Sequence, residues 1–200
     1  MMMHRRLFQL FWGLGLYGFS MALMLRANLG LDPWDVLHQG VAPRLGLSFG
    51  MTVNLIGAVV LLLWWPLRQR PGIGTVCNIV VIGTAVDLSL MLLPVPEGHA
   101  MRFAWLGAGI VLNGIAGGAY IGAGLGPGPR DGLMTGFCRR TGLPVKWVRT
   151  GIEIGVLAVG WLLGGTVGVG TMAYAATIGW IVHHALPFFT IAPPQRPALT

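Results

Sequence analysis

Apolar residues fall into six long stretches along the chain, and short segments that carry most of the charged residues separate them. A helix of roughly 20 mainly apolar residues crosses the hydrocarbon core of a bilayer. The pattern therefore predicts an all-α membrane protein with six transmembrane helices. The predicted spans cover residues 7–25, 50–66, 73–93, 103–125, 148–166 and 171–191.

The composition agrees with this pattern and excludes a soluble enzyme. Hydrophobic residues make up 54% of the chain and charged residues only 10%, whereas a soluble domain usually carries about 25% charged residues. The net charge of +7 does not indicate nucleic acid, because the basic residues are scattered between apolar stretches and form no continuous basic face. The expected partner is the lipid bilayer, and no nucleic-acid partner is expected.

The basic residues also predict how the chain is oriented. If the N-terminus is cytoplasmic, only Arg26, Arg44 and Arg102 fall on the outer side, and the other Lys and Arg residues near the spans lie inside. Cytoplasmic loops of membrane proteins are enriched in Lys and Arg, so we expect both termini in the cytoplasm. Arg26 directly follows the first apolar run, without a small-residue cleavage site, which favours an uncleaved first helix.

A shift of 96 residues aligns the first half of the chain with the second. The shift matches Pro33 with Pro129 and Asp35 with Asp131, and it matches glycines in both loops and spans. It predicts a first membrane repeat over 1–97, a second over 98–192 and a short cytoplasmic tail over 193–200. Since each half has three crossings, an odd number, two tandem halves must be inverted relative to one another, as in many transporters.

Each half has a short segment after its first span, over 33–44 and 129–140. Asp32 is a candidate N-cap before Pro33, and Gly128 is a weaker cap before Pro129. Helices of this length are too short to span, so they either lie at the interface or enter the membrane as re-entrant helices. A re-entrant pair would direct two positive helix ends inward, which suits a small polar or anionic solute.

Several segments resemble a known family. LGLDPWDVL, GIGTVCNIVVIGTAVDL, GLGPGPRDGLM and VKWVRTGIEIGVLAVGWLLGG…GVGT are together similar to the YczE-like membrane proteins, relatives of the broader YitT group. The resemblance covers nearly the whole chain. It implies a location in the bacterial inner membrane but supplies no substrate. The two halves differ at one position, where the first has Trp34 and the second has Arg130.

Ionisable residues inside predicted spans need a reason, because a charge at the bilayer centre is costly. Three of them, together with polar residues of the two short segments, form a hypothetical substrate or ion path: Asp87, Glu153, His183, Asp35, Asp131 and Arg130.

Simpler structural roles are open for the same residues. The 96-residue shift places His183 on Asp87, so these two could form a packed polar pair between the halves. Glu153 could pair with Arg149, one turn away on the same helix face. Arg130 and its neighbour Asp131 could form a local salt bridge or cap.

The chain has none of the common catalytic or phosphate-binding motifs, and Cys77 and Cys138 have no ligand cluster near them in sequence. We therefore expect neither an enzyme nor a cofactor or metal site. The leading hypothesis is a small-solute transporter or permease. The alternatives are a membrane accessory or assembly protein that acts through glycine-rich helix faces, which leaves a homo-oligomer open, and a passive channel.

Overall fold

The computed structural model describes residues 2–191, and these form eight α-helices and no strand. The predicted tail over 193–200 lies outside the described residues. The helices are α1 (Met2–Ala27), α2 (Pro33–Leu45), α3 (Phe49–Leu62), α4 (Ile73–Leu92), α5 (Gly98–Gly122), α6 (Pro129–Thr141), α7 (Val145–Leu162) and α8 (Val169–Phe189).

Three of the helices, α1, α4 and α5, are long and apolar enough to cross a membrane by themselves. The short helices α2 and α3 together pass the same test as one segment that bends by 108° between them. With its 14 residues, α3 is only about 21 Å long, shorter than the roughly 30 Å bilayer core. Among the remaining helices, α7 contains three charged residues, Lys146, Arg149 and Glu153. The chain is thus a helical membrane protein, and many large apolar side chains, such as Trp65 and Phe188, are exposed on its outside.

The helices of the first half recur in the second half at nearly the same offset. Both α2 and α6 are 13 residues long, begin at a proline, and begin and end 96 residues apart. Each ends at a glycine in the left-handed conformation, Gly46 with φ of 65° and Gly142 with φ of 72°. Because only glycine adopts this conformation without a steric penalty, the same residue ends both helices.

The centre of the fold is the crossing of α1 and α5, which pack closely through equivalent small residues. A Cβ atom added to Gly13 of α1 would lie 2.9 Å from the backbone nitrogen of Tyr120. A Cβ added to Gly109 of α5 would lie 2.6 Å from the Cγ of Met24. Gly13 and Gly109 are 96 residues apart, as are Met24 and Tyr120. The two helices therefore approach each other closely at equivalent glycines, one on each helix.

In each half, one backbone hydrogen bond connects the loop after the first helix to the last helix of the other half. The nitrogen of Gly170 in α8 donates to the carbonyl of Leu29 at 2.8 Å, and the nitrogen of Gly74 in α4 donates to the carbonyl of Leu125, also at 2.8 Å. Leu29 and Leu125 are 96 residues apart, and so are Gly74 and Gly170. The loops that lead into α2 and α6 are thereby fixed by the opposite half.

The halves differ in how their last two helices pack. In the first half α3 packs along α4, with Gly50 directly against the carbonyl of Gly83. Lys146 occupies the position of Gly50 in the second half, and among the described residues α7 has no comparable packing along α8. Gly179, the equivalent of Gly83, faces open space. Where α3 and α4 meet at a glycine, α7 has the long side chain of Lys146, and within residues 2–191 α7 and α8 are not packed together.

We expect Gly83→Ala to destabilise the protein, because the added methyl group would overlap Asn54 and the backbone of Gly50. Overpacking of this kind costs about 1–3 kcal/mol. The matched control is Gly179→Ala, which adds the same methyl group in open space and should leave stability unchanged or slightly raised. The measurement is the midpoint of thermal unfolding of the purified protein in detergent. Equal midpoints for the two variants would contradict the packing described for α3 and α4.

Candidate functional site

A cavity of about 130 Å³ lies where the first turns of α2 and α6 meet. Its size is close to that of an engineered cavity of about 150 Å³ that binds benzene. All eight helices contribute to its wall. Its polar lining residues include Asp32, Asn78, Arg130, Asp131, Arg149, Glu153 and the tyrosines 17, 120 and 174.

Arg130 connects the two halves across this cavity. Its guanidinium nitrogens lie 3.7 Å from Oδ1 of Asp32 and 3.7 Å from Oδ1 of Asp35. The same guanidinium lies over the ring of Trp34, 5.0 Å from its centroid, at a distance where cations are attracted to aromatic faces. Trp34 and Arg130 are the equivalent positions at which the repeats differ, and the structure places them in contact.

The first turn of α2 fixes the two carboxylates that face Arg130. Oδ1 of Asp32 accepts hydrogen bonds from the backbone nitrogens of Trp34 at 2.9 Å and Asp35 at 3.2 Å, which confirms Asp32 as the N-cap. Oδ1 of Asp35 lies 3.0 Å from Nδ1 of the buried His38. The second oxygens of both carboxylates are buried and have no hydrogen-bond partner within residues 2–191.

The start of α6 is held by two contacts, one from the turn after α3 and one from α5. The indole nitrogen of Trp64, a buried residue, donates to the carbonyl of Pro129 at 2.9 Å, and the Trp64 ring packs against Gly132. The hydroxyl of Tyr120 donates to Oδ2 of Asp131 at 2.9 Å. These contacts set the direction in which Arg130, between Pro129 and Asp131, enters the cavity.

A buried amide orders the floor of the site between α1, α5 and α8. Asn113 donates from Nδ2 to the hydroxyl of Ser20 at 2.9 Å, and its Oδ1 accepts from the hydroxyl of Tyr174 at 2.9 Å. The Ser20 hydroxyl in turn donates to the carbonyl of Tyr17 at 2.6 Å. Every polar atom of the Asn113 side chain has a partner, as buried polar groups require, and Tyr174 is thereby fixed in the wall.

Four of the six residues of the hypothetical path come together at this site. Arg130, Asp131 and Glu153 line the cavity, and Asp35 contacts Arg130. Glu153 also accepts a hydrogen bond from Arg149 at 2.8 Å, which is the local pair expected as its simpler role. Of the simpler roles open for Arg130 and Asp131, the local salt bridge is not formed within residues 2–191, because Arg130 faces Asp32 and Asp35 instead.

The other two residues, Asp87 and His183, lie away from the cavity. Asp87 accepts hydrogen bonds from the hydroxyl of Ser48 and, at 2.8 Å, from the backbone nitrogen of Gly50, so it joins α3 to α4. His183 is exposed on α8 and packs edge-on against the ring of His184. The expected polar pair between Asp87 and His183 is not formed in the described chain. Asp87 has no need of this partner because α3 packs closely on α4, and Ser48 and Gly50 of its own half donate hydrogen bonds to it.

Sequence reasoning missed the aromatic part of the site. All three tyrosines of the chain, Tyr17, Tyr120 and Tyr174, line the cavity. The sequence contains a signal for Tyr17, which lies in the middle of the predicted span 7–25, whereas interfacial anchors lie near span ends. Tyr120 and Tyr174 lie near the ends of their predicted spans, so the sequence does not distinguish them from interfacial anchors. Asp32 was expected only as a cap, yet it also pairs with Arg130.

Comparison with known proteins assigns the chain to a family. Residues 4–187 match the model of a family of unknown function, DUF6198. The chain belongs to this family. It is 36% identical over 179 residues to the "Uncharacterized membrane protein YczE" of Bacillus subtilis (strain 168), covering 88% of this chain and 83% of that protein. The expected YczE-like assignment is therefore confirmed.

Two further relatives of this YczE-like protein have names that give no function. An "Uncharacterized protein" of Haemophilus influenzae is 39% identical over 177 residues, covering 88% of this chain and 81% of that protein. The "Uncharacterized protein YyaS" of Bacillus subtilis is 24% identical over 187 residues, covering 89% and 92%. No solved structure matches the chain.

Replacement of Asp32 tests the cap that fixes the site. Asp32→Asn keeps a side-chain oxygen that can accept from the nitrogens of Trp34 and Asp35, so we expect it to retain most of the stability. Asp32→Ala removes the acceptor, and loss of such a cap costs about 0.5–2 kcal/mol. Thermal unfolding in detergent measures the difference. If both variants lost the same amount, the cap would not be the contribution of Asp32 to stability.

Proposed function

We propose that this YczE-like protein is a small-solute transporter of the bacterial inner membrane and has no enzymatic role. Its six crossings form two inverted repeats of three spans, with α2 and α6 as re-entrant helices and both termini in the cytoplasm. The observation that carries the proposal is the polar cavity at the junction of the two halves, where the first turns of α2 and α6 meet. Transporters built from inverted repeats bind their solutes at such junctions.

The exchanged contacts between the halves support the inverted arrangement. Gly170 binds Leu29 as Gly74 binds Leu125, and Gly13 meets α5 as Gly109 meets α1. Contacts in which equivalent positions exchange partners are typical of two units related by a two-fold axis. The bent pair of α2 and α3, counted as one crossing, completes the six crossings that hydropathy predicts together with α7 and α8.

The chemistry of the cavity also favours transport. Charged side chains inside a membrane protein are costly and mark the paths of solutes or ions. Arg130 belongs to the second half, whereas Asp32 and Asp35 belong to the first, so movement of one half relative to the other changes the distance between them. The distance between Arg130 and these carboxylates can thus differ between a state open to one side of the membrane and a state open to the other.

The second candidate is a membrane accessory protein that acts through helix contacts. One observation favours it: Gly151 and Gly155 of α7 face open space, so this helix presents a small-residue surface to a second copy or another membrane protein. Small residues of this kind are enriched where membrane helices associate. The two candidates differ in whether water reaches the cavity.

Thiol accessibility at Met134, which lines the cavity, tests whether the site is on an aqueous path. The variant Met134→Cys is made in a background with Cys77→Ser and Cys138→Ser, and a membrane-impermeant maleimide is applied to oriented vesicles from each side. A transporter predicts labelling from at least one side, because water must reach the solute site.

The matched control is Leu14→Cys in the same background, since Leu14 is fully buried in the core and does not line the cavity. We expect this cysteine to stay unlabelled from both sides. If Met134→Cys were equally unreactive from both sides, no aqueous route would reach the cavity, and the accessory function would be the better interpretation.

A further inference from the structure

We propose that the cavity binds a small organic cation, such as an alkylammonium, amidinium or guanidinium ion. This inference names the substrate class of the site and rests on the proposed function only where it concerns transport. It departs from the small polar or anionic solute that the two helix N-termini suggested. The observations that carry it are the charge of the site, its unpartnered oxygens and the group that already lies there.

The charged groups at the cavity leave an excess of carboxylate. Asp131 is hydrogen-bonded to the hydroxyl of Tyr120, and Glu153 is paired with Arg149. The carboxylates of Asp32 and Asp35 then share one arginine, Arg130, and Asp35 also contacts the imidazole of His38, which lines the cavity. A negative excess in a site of low dielectric attracts a cation and repels an anion.

Two buried oxygens at the site lack a hydrogen-bond donor. Asp32 and Asp35 are 2% and 0% exposed, and Oδ2 of each has no partner in the described chain. An ionised carboxylate can only accept hydrogen bonds, and a buried acceptor without a partner costs free energy. A ligand that supplies N–H donors to these oxygens would remove that cost. Asp32 lines the cavity itself, so a solute there can reach it.

Arg130 shows which kind of group the site recognises. Its guanidinium lies over Trp34 and faces both carboxylates, but at 3.7 Å from each. Charge-assisted hydrogen bonds are normally 2.7–2.9 Å long, so the carboxylates are not fully engaged. A free cation could make shorter bonds and displace Arg130. The tyrosine rings of the wall add aromatic faces of the kind that bind organic cations.

The anion hypothesis meets an obstacle at both helix ends. The positive end of α2 is already capped by the carboxylate of Asp32. The first turn of α6 contains Asp131, whose carboxylate is also in the cavity wall. An anion that approached either helix end would therefore meet a carboxylate first.

The test uses three probes of the same size and shape that differ in charge: acetamidinium, acetamide and acetate. Each is added at matched ionic strength to the Met134→Cys protein, and the rate of maleimide labelling is measured. A bound solute shields the cysteine, and a ligand at twice its Kd lowers the rate about threefold. We expect acetamidinium to slow labelling and the neutral and anionic probes to leave the rate unchanged. Stronger protection by acetate or acetamide, or none by acetamidinium up to 100 mM, would overturn the proposal.

Two further substitutions in the same background test which groups bind the probe. Asp32→Asn keeps the cap of α2 but removes one charge, so it should weaken protection by acetamidinium at least fivefold. Arg130→Gln removes the competing cation and should strengthen protection by acetamidinium. If the site instead bound anions, Arg130→Gln would abolish protection by acetate and would not strengthen protection by acetamidinium. Protection by acetamidinium that is unchanged in Asp32→Asn would also contradict the proposal.

Uptake of labelled acetamidinium into proteoliposomes separates this inference from the proposed function. Protection with uptake above that of protein-free liposomes supports both. Protection without uptake supports the cation site but counts against a transporter. Uptake of acetate with no protection by acetamidinium supports a transporter and overturns the cation site.

Discussion

The arrangement of this protein depends on two short loops, each held by the other half of the molecule. The hydrogen bonds from Gly170 to Leu29 and from Gly74 to Leu125 fix the chain just before α2 and α6 begin. A helix that starts from a fixed loop has a defined first turn, and it is the first turns that carry Asp32, Asp35 and Arg130. The glycines at these contacts are required because any side chain on Gly170 would meet the backbone of Gly30. The polar site is therefore a consequence of how the halves are joined.

Much of the fold was predictable because it depends on features that repeat. Hydropathy placed all six predicted spans on helices of the structure, and the proline–glycine pattern placed α2 and α6. The 96-residue shift relies on residues whose roles are local, such as Pro33 at a helix start and Gly46 at a helix end. Hydropathy could not show that α3 is only 14 residues long or that it bends sharply from α2, because both depend on packing against other helices.

The candidate site was predictable only in part, for a reason specific to repeats. A shift compares equivalent positions, and it paired Asp87 with His183, which do not meet. The ion pairs between the halves instead join non-equivalent positions, because Arg130 faces Asp32 and Asp35. Such pairs leave no trace in an alignment of the chain with itself. Of the three tyrosines only Tyr17 was identifiable, by its depth inside a span, and the structure was needed to show that all three line one cavity.

The contact between Trp34 and Arg130 bears on why both halves are encoded in one chain. These residues occupy the same position of the two repeats and touch each other. In a homodimer of one half, the same contact would join tryptophan to tryptophan or arginine to arginine, because a two-fold axis gives both copies the same residue. Two arginines would repel each other, and two tryptophans would leave the carboxylates without a cation. With both halves in one chain the two positions can differ, and a cation can then face an aromatic ring and two carboxylates, an arrangement that a symmetric dimer of identical halves cannot have.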